Sequence, residues 1–100
     1  MREVTLPNGE DVHALGLGTW RYGESSASAP SEVAALRRAF EIGFRVIDTA
    51  EMYGAGGAEV VVGRAIAEAT RAGLAREDLF VVTKVLPENA ATEPLVRACE

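Results

Sequence analysis

Two stretches of the sequence place apolar residues at the three- and four-residue spacing of an amphipathic helix. Residues 31–42 and 58–72 both have this pattern, and a third helical pattern runs from residue 92 to 100. Charged side chains occupy the opposite faces. The positions that we expect to be buried are Val33, Leu36, Ala39 and Phe40 in the first helix and Val61, Val62, Ala65, Ile66 and Ala69 in the second.

The ends of the helices carry local signals. Ser31 follows Pro30 and is the predicted N-cap of the first helix. Gly43 is the predicted left-handed residue that ends this helix, because glycine adopts positive φ without steric cost. In the second helix Arg64 and Glu68 are four residues apart, so we expect them to form an ion pair on the outer face.

Short apolar runs lie between the helices. Residues 15–20, 44–48 and 79–84 are predicted strands, and the last two are almost continuously apolar, which is typical of strands covered on both faces. The order is strand, helix, strand, helix, strand. Since crossovers of this kind are right-handed, the three strands should be parallel, with their carboxyl ends at one edge of the sheet. The predicted fold class is α/β.

An antiparallel hairpin is predicted ahead of these elements, at residues 3–14. Asn8 and Gly9 separate two short runs there, and Asn-Gly is a strong signal for a tight hairpin turn. His13, the single histidine, lies in or beside the hairpin. A lone histidine at a strand end is more often structural or solvated than catalytic, so we assign it no catalytic role.

Composition narrows the classes of function. The 100 residues are 48% hydrophobic and 25% charged with a net charge of −5, as in one globular unit. Dense Lys/Arg blocks are missing, which argues against a nucleic-acid surface or a membrane patch. No apolar run approaches the ~20 residues that cross a bilayer, so we expect a cytoplasmic protein. Cys99 is the only cysteine, and we expect it to be buried in the third helix.

Side chains with candidate catalytic roles lie at the carboxyl ends of the predicted strands. Trp20, Asp48 and Lys84 end the three strands, and Tyr53 follows Asp48 in a loop. Lys84 is also the only lysine in the sequence. A tyrosine needs a nearby positive charge to transfer a proton at neutral pH, and a carboxylate keeps a lysine charged. Asp48, Tyr53 and Lys84 could thus give a proton to an oxygen, as carbonyl reduction requires.

Each residue also has a structural interpretation. Asp48 could cap a turn, Tyr53 could be a half-exposed aromatic, Lys84 a solvated strand end and Trp20 a cover over the core. A dinucleotide-binding fingerprint is weakly supported, because Gly23 comes two positions too late for the pattern that begins at Gly16. The functional interpretation depends on the joint placement at one edge of the sheet.

Four motifs in the same order and spacing resemble the aldo/keto reductases, in particular prokaryotic members. The segments that carry the resemblance are residues 15–20, 43–54, 59–66 and 80–85. This resemblance implies a (β/α)₈ TIM barrel, of which residues 1–100 would be the N-terminal part of a single domain: the hairpin and the first three β/α units. It also implies NADPH-dependent reduction of a small-molecule aldehyde or ketone by a monomeric full-length protein, with no metal.

The resemblance assigns roles to individual residues. Tyr53 is implied to be the general acid, tuned by Lys84 and Asp48. The residues implied near the nicotinamide and ribose of the cofactor are Gly18, Thr19 and Asp48, and those implied to bind substrate are Trp20 and Tyr53.

The sequence also departs from the family pattern. The family's fourth catalytic residue, a histidine after the fourth strand, and the phosphate-binding loops after the last two strands have no counterpart in these residues, and His13 does not match that histidine. We therefore expect the 100-residue chain alone to be inactive. Two alternatives remain open: a regulatory or binding subunit with the same barrel, as in the potassium-channel β-subunit relatives, and an assembly fragment without activity.

Overall fold

A computed structural model describes residues 2–99 and contains three helices and two small sheets within that range. None of these helices is long and apolar enough to cross a membrane. The strands are β1 (Glu3–Thr5), β2 (Asp11–His13), β3 (Gly16–Gly18), β4 (Val46–Asp48) and β5 (Phe80–Val82). The helices are α1 (Ala29–Ile42), α2 (Gly57–Arg71) and α3 (Thr92–Cys99). Single 3₁₀ turns occupy Arg76–Asp78 and Pro87–Asn89, and a turn with left-handed residues occupies Tyr53–Gly56.

Strands β1 and β2 form the predicted antiparallel hairpin, with Glu3 opposite His13. The connection is longer than a two-residue turn, because the Gly9 N–H donates to the Leu6 carbonyl and the Leu6 N–H donates to Glu10. Gly9 has a φ of 88°, a left-handed conformation that favours glycine. His13 shares a cavity with residues at the amino ends of β4 and β5, at the opposite end from Asp48.

Strands β3, β4 and β5 form a parallel sheet in that order, as predicted. Gly18 lies opposite Asp48, and Asp48 lies opposite Val82. The regular strands are shorter than the predicted ones, but main-chain bonds continue past their ends: the Thr19 N–H donates to the Asp48 carbonyl at 3.0 Å. The three strand exits therefore meet at one edge.

Helices α1 and α2 pack side by side on one face of this sheet. The core contains Leu36 from α1, Ile47 from β4 and Val61 from α2, each almost completely buried. The predicted buried faces of both helices are confirmed, with Ile66 partly buried. The opposite face of the sheet is open in residues 2–99, where Val82 is 37% exposed. The prediction that both faces are covered is therefore not met within this range.

The start of α1 was predicted wrongly. The helix begins at Ala29, Pro30 lies in its first turn, and the Ser31 hydroxyl donates to the Ser28 carbonyl. Proline is tolerated there because its missing N–H would have no partner in the first turn. Gly43 does end the helix, with a φ of 118° and its N–H donating to Ala39.

Two further sequence predictions are wrong. Glu68 pairs with Arg37 of α1 at 3.0 Å instead of with Arg64, because the packing of α1 against α2 brings the Arg37 guanidinium within reach. Cys99 is exposed, since α3 contacts the neighbouring 3₁₀ turn more than the core. Residue 100, the predicted end of this helix, lies outside the described residues.

Candidate active site

Lys84 contacts two of the predicted site residues, Asp48 and Tyr53. Its ammonium group donates to Asp48 Oδ1 at 2.8 Å and to the Thr49 carbonyl at 2.7 Å. It also lies 5.2 Å from the centre of the Tyr53 ring, within the range of a cation–π interaction. The structure thus brings Asp48, Tyr53 and Lys84 together.

The carboxylate of Asp48 favours the charged form of Lys84. Its hydrogen bond is the largest cause that raises the pKa of Lys84 above the ordinary value of 10.5, opposed by partial desolvation and supported by smaller contributions from Tyr53. Both side chains remain almost half exposed, so solvent screens the pair and we expect only a modest contribution to stability. The main effect of the pair is to hold the Lys84 ammonium in place beside Asp48.

Asp48→Asn should return the pKa of Lys84 towards 10.5 or below, because it removes the hydrogen-bonded negative charge. Because the pKa of Lys84 is raised in the folded protein, its ion pair with Asp48 contributes fully to stability below pH 10.5. This contribution is lost as the pH rises through the higher pKa of the folded state. Titration of the Lys84 side chain by NMR would measure the change. Asp78→Asn, which removes the same charge at the amino end of β5, should leave the Lys84 titration unchanged; an equal shift in both variants would contradict a specific effect of Asp48.

The three remaining predicted site residues follow one another at the end of β3. Gly18 lies beside Asp48, and no atom would lie within 4 Å of an added Cβ, so the sheet is open above it. Thr19 is completely buried, and its hydroxyl donates to the Asp48 carbonyl at 3.0 Å. Trp20 is 72% exposed. Thr19 therefore fixes the main chain of Asp48, while Gly18 and Trp20 are accessible.

A left-handed turn holds Tyr53 at the start of α2. Gly54, Ala55 and Gly56 all have positive φ, of 59°, 53° and 96°. Alanine rarely adopts this conformation, so tertiary contacts must stabilise the turn. Gly54, Ala55 and Gly56 were not among the predicted site residues.

The contact that stabilises this turn is a close approach between the main chains of Gly23 and Gly57. A Cβ on Gly57 would lie 2.1 Å from the Gly23 carbonyl oxygen, and a Cβ on Gly23 would lie 2.0 Å from the Gly57 carbonyl carbon. The carboxylate of Glu32 accepts the Gly23 N–H at 2.9 Å and fixes this segment to α1. The glycine-rich composition of both segments was the available signal, but their proximity is a tertiary property.

Glu51 is a second residue that sequence reasoning missed. It lies two residues before Tyr53, and its carboxylate accepts hydrogen bonds from the loop that follows Lys84. An acidic residue in a loop is common, so the sequence gives no signal for this contact.

Known proteins share this arrangement of elements. The Aldo/keto reductase family profile matches residues 14–100. Methylglyoxal reductase YeaE from Escherichia coli (strain K12) is 48% identical over 98 residues, which is 98% of this chain and 30% of that protein.

Solved structures agree. The thermostable aldo-keto reductase Tm1743, in complex with the inhibitor epalrestat, superposes with a TM-score of 0.87 at 39% identity, over 98% of this chain and 36% of that one. An aldo/keto reductase from Klebsiella pneumoniae in complex with NADP and acetate has a TM-score of 0.78 and 47% identity, over 92% of this chain and 30% of that one. The chain thus spans about a third of the length of these relatives, and it belongs to the aldo/keto reductase family.

Proposed function

We propose that this chain supplies the proton-donating part of the active site of an NADPH-dependent oxidoreductase that reduces aldehydes or ketones to alcohols. The observation that carries the proposal is the position of the Lys84 ammonium, 2.8 Å from Asp48 and 5.2 Å from the centre of the Tyr53 ring. A charged lysine beside a phenol is the arrangement that a tyrosine acid requires.

In this mechanism Tyr53 donates its hydroxyl proton to the carbonyl oxygen of the substrate. A free phenol has a pKa of about 10 and is a weak acid at neutral pH. The Lys84 ammonium lowers the energy of the phenolate that remains after transfer, and Asp48 orients this ammonium through a hydrogen bond of 2.8 Å. Proton donation therefore depends on all three side chains, although only Tyr53 contacts the reacting oxygen.

The residues at the end of β3 fit the nicotinamide end of NADPH, which supplies the hydride when bound. Gly18 leaves free space above the sheet for a flat ring. The half-exposed carboxylate of Asp48 can accept a hydrogen bond from a ribose hydroxyl, and Thr19 fixes the main chain of Asp48. The NADP in the Klebsiella pneumoniae relative supports this choice of cofactor.

The proposed substrate is a small-molecule carbonyl compound. Trp20 is accessible one residue after Thr19 and would form an apolar wall of the substrate site. The Escherichia coli relative is named for methylglyoxal, which makes this ketoaldehyde the first compound to test.

We also propose that further strands complete a monomeric eight-stranded barrel. Within residues 2–99, β3 and β5 each pair only with β4, so each has an unpaired edge that another strand can occupy. The 100-residue chain spans 30% of its Escherichia coli relative, and we expect it to be inactive when expressed alone.

The test is NADPH consumption with methylglyoxal, measured for the protein from the complete gene and for the 100-residue chain. We expect consumption by the former only, and none without the carbonyl compound. A complete protein that fails to reduce any compound in a panel of small aldehydes and ketones would contradict the proposed reaction. Turnover by the 100-residue chain would contradict the proposal that it is incomplete.

A further inference from the structure

We propose that Glu51 is a positioning residue that sets the distance between the proton donor Tyr53 and the ammonium group of Lys84. This inference rests on the proposed function for its catalytic consequence. Its structural basis is independent of the reaction: Glu51 joins the loop after β4, which carries Tyr53, to the loop after β5, which carries Lys84.

The carboxylate of Glu51 binds two groups on the second loop. Oε1 accepts the main-chain N–H of Leu86 at 2.8 Å, and the side-chain amide of Asn89 donates to Oε1 at 3.1 Å and to Oε2 at 3.0 Å. These bonds are partly buried, and hydrogen bonds to a charged acceptor are the stronger class. They fix the 3₁₀ turn Pro87–Asn89 against the loop that leads to Tyr53.

The main chain of Glu51 makes a second connection between the same loops. Its N–H donates to the Lys84 carbonyl at 2.9 Å. The segment from Lys84 to Leu86 is therefore attached to Glu51 at two points, the Lys84 carbonyl and the Leu86 N–H. Two attachment points restrict rotation of the segment as well as its translation.

The contacts of Glu51 support an effect on the position of Lys84 and not on its charge. The causes that raise the pKa of Lys84 are its interactions with Asp48 and Tyr53, and Glu51 is not among them. The ammonium–ring distance of 5.2 Å depends on where the two loops lie. A displacement of about 1 Å in an active site can lower a rate by up to about 100-fold.

The test compares Glu51→Ala with Glu51→Gln in the protein from the complete gene. Alanine removes every acceptor, whereas glutamine keeps an acceptor for the Leu86 N–H and an amide that can pair with Asn89. We expect Glu51→Ala to lower kcat by about 10- to 100-fold with KM for the carbonyl substrate nearly unchanged, and Glu51→Gln to restore most of kcat. Glu88→Gln, which removes a charge from an exposed position in the same loop, should behave like the unmodified protein.

A second readout does not need activity. The NMR titration of Lys84, assigned by the signal lost in Lys84→Arg, should show a pKa that falls towards 10.5 in Glu51→Ala and stays raised in Glu51→Gln. Asn89→Ala, which removes two of the three bonds, should give a smaller change in the same direction and serves if Glu51→Ala does not fold.

The outcomes separate the two proposals. Equal losses of kcat in Glu51→Ala and Glu51→Gln would show a charge effect and overturn the positioning role. An unchanged kcat and an unchanged Lys84 titration in Glu51→Ala would overturn it as well. An inactive unmodified protein would refute the proposed reaction, while the Lys84 titration would still decide whether Glu51 positions the lysine.

Discussion

Tyr53→Phe should lower kcat/KM for a carbonyl substrate by about 10²–10⁴-fold, the usual contribution of a general acid. Phenylalanine keeps the ring that lies 5.2 Å from the Lys84 ammonium but removes the only proton that Tyr53 can donate. The loss should appear mainly in kcat, because substrate binding depends on the shape of the site, which the ring preserves. Steady-state consumption of NADPH with methylglyoxal would measure both constants.

Tyr22→Phe is the matched control for this prediction. Tyr22 is the other tyrosine of the sequence, and it is partly buried and packed against the hydrophobic core. Loss of its hydroxyl should change kcat/KM by no more than about twofold, equivalent to roughly 0.4 kcal/mol. A Tyr53→Phe protein with the activity of Tyr22→Phe would exclude Tyr53 as the proton donor.

Much of the fold was predictable because its determinants are local. The periodicity of residues 31–42 and 58–72 identified the faces that α1 and α2 bury. The alternation of strands and helices predicted that β3, β4 and β5 are parallel, as the sheet confirms. The start of α1 failed because Pro30 is compatible with both a helix boundary and a first helical turn, and only the folded chain shows that it lies inside the helix.

The candidate site was predictable in part for the same reason. Parallel strands place their exits at one edge, so Asp48 and Lys84 could be brought together from sequence order alone. The contacts that fix them could not. Glu51 binds a loop 35 residues later, and Gly23 touches Gly57 through main-chain atoms; neither contact leaves a periodic or compositional pattern that specifies its partner.

Gly57→Ala should destabilise the protein by about 3 kcal/mol, the upper end of the usual range for overpacking. The backbone of Gly57 is helical, with a φ of −66°, so alanine meets no conformational barrier there. The cost comes from space: the new methyl group would lie 2.1 Å from the Gly23 carbonyl oxygen, and a main-chain atom cannot move aside as a side chain does. Chemical denaturation of the protein from the complete gene would measure the free energy of unfolding.

Gly63→Ala provides the control on the same helix. Gly63 is exposed, and no atom outside its own helix would lie within 4 Å of its Cβ. Alanine there should stabilise the protein by up to about 1 kcal/mol through its higher helix propensity. Both variants add one methyl group to α2, so opposite signs would assign the loss in Gly57→Ala to the contact with Gly23, whereas equal effects would refute that contact. Since Gly57 directly follows the turn that holds Tyr53, a loss of kcat in Gly57→Ala beyond the loss of folded protein would show that this contact also positions the proton donor.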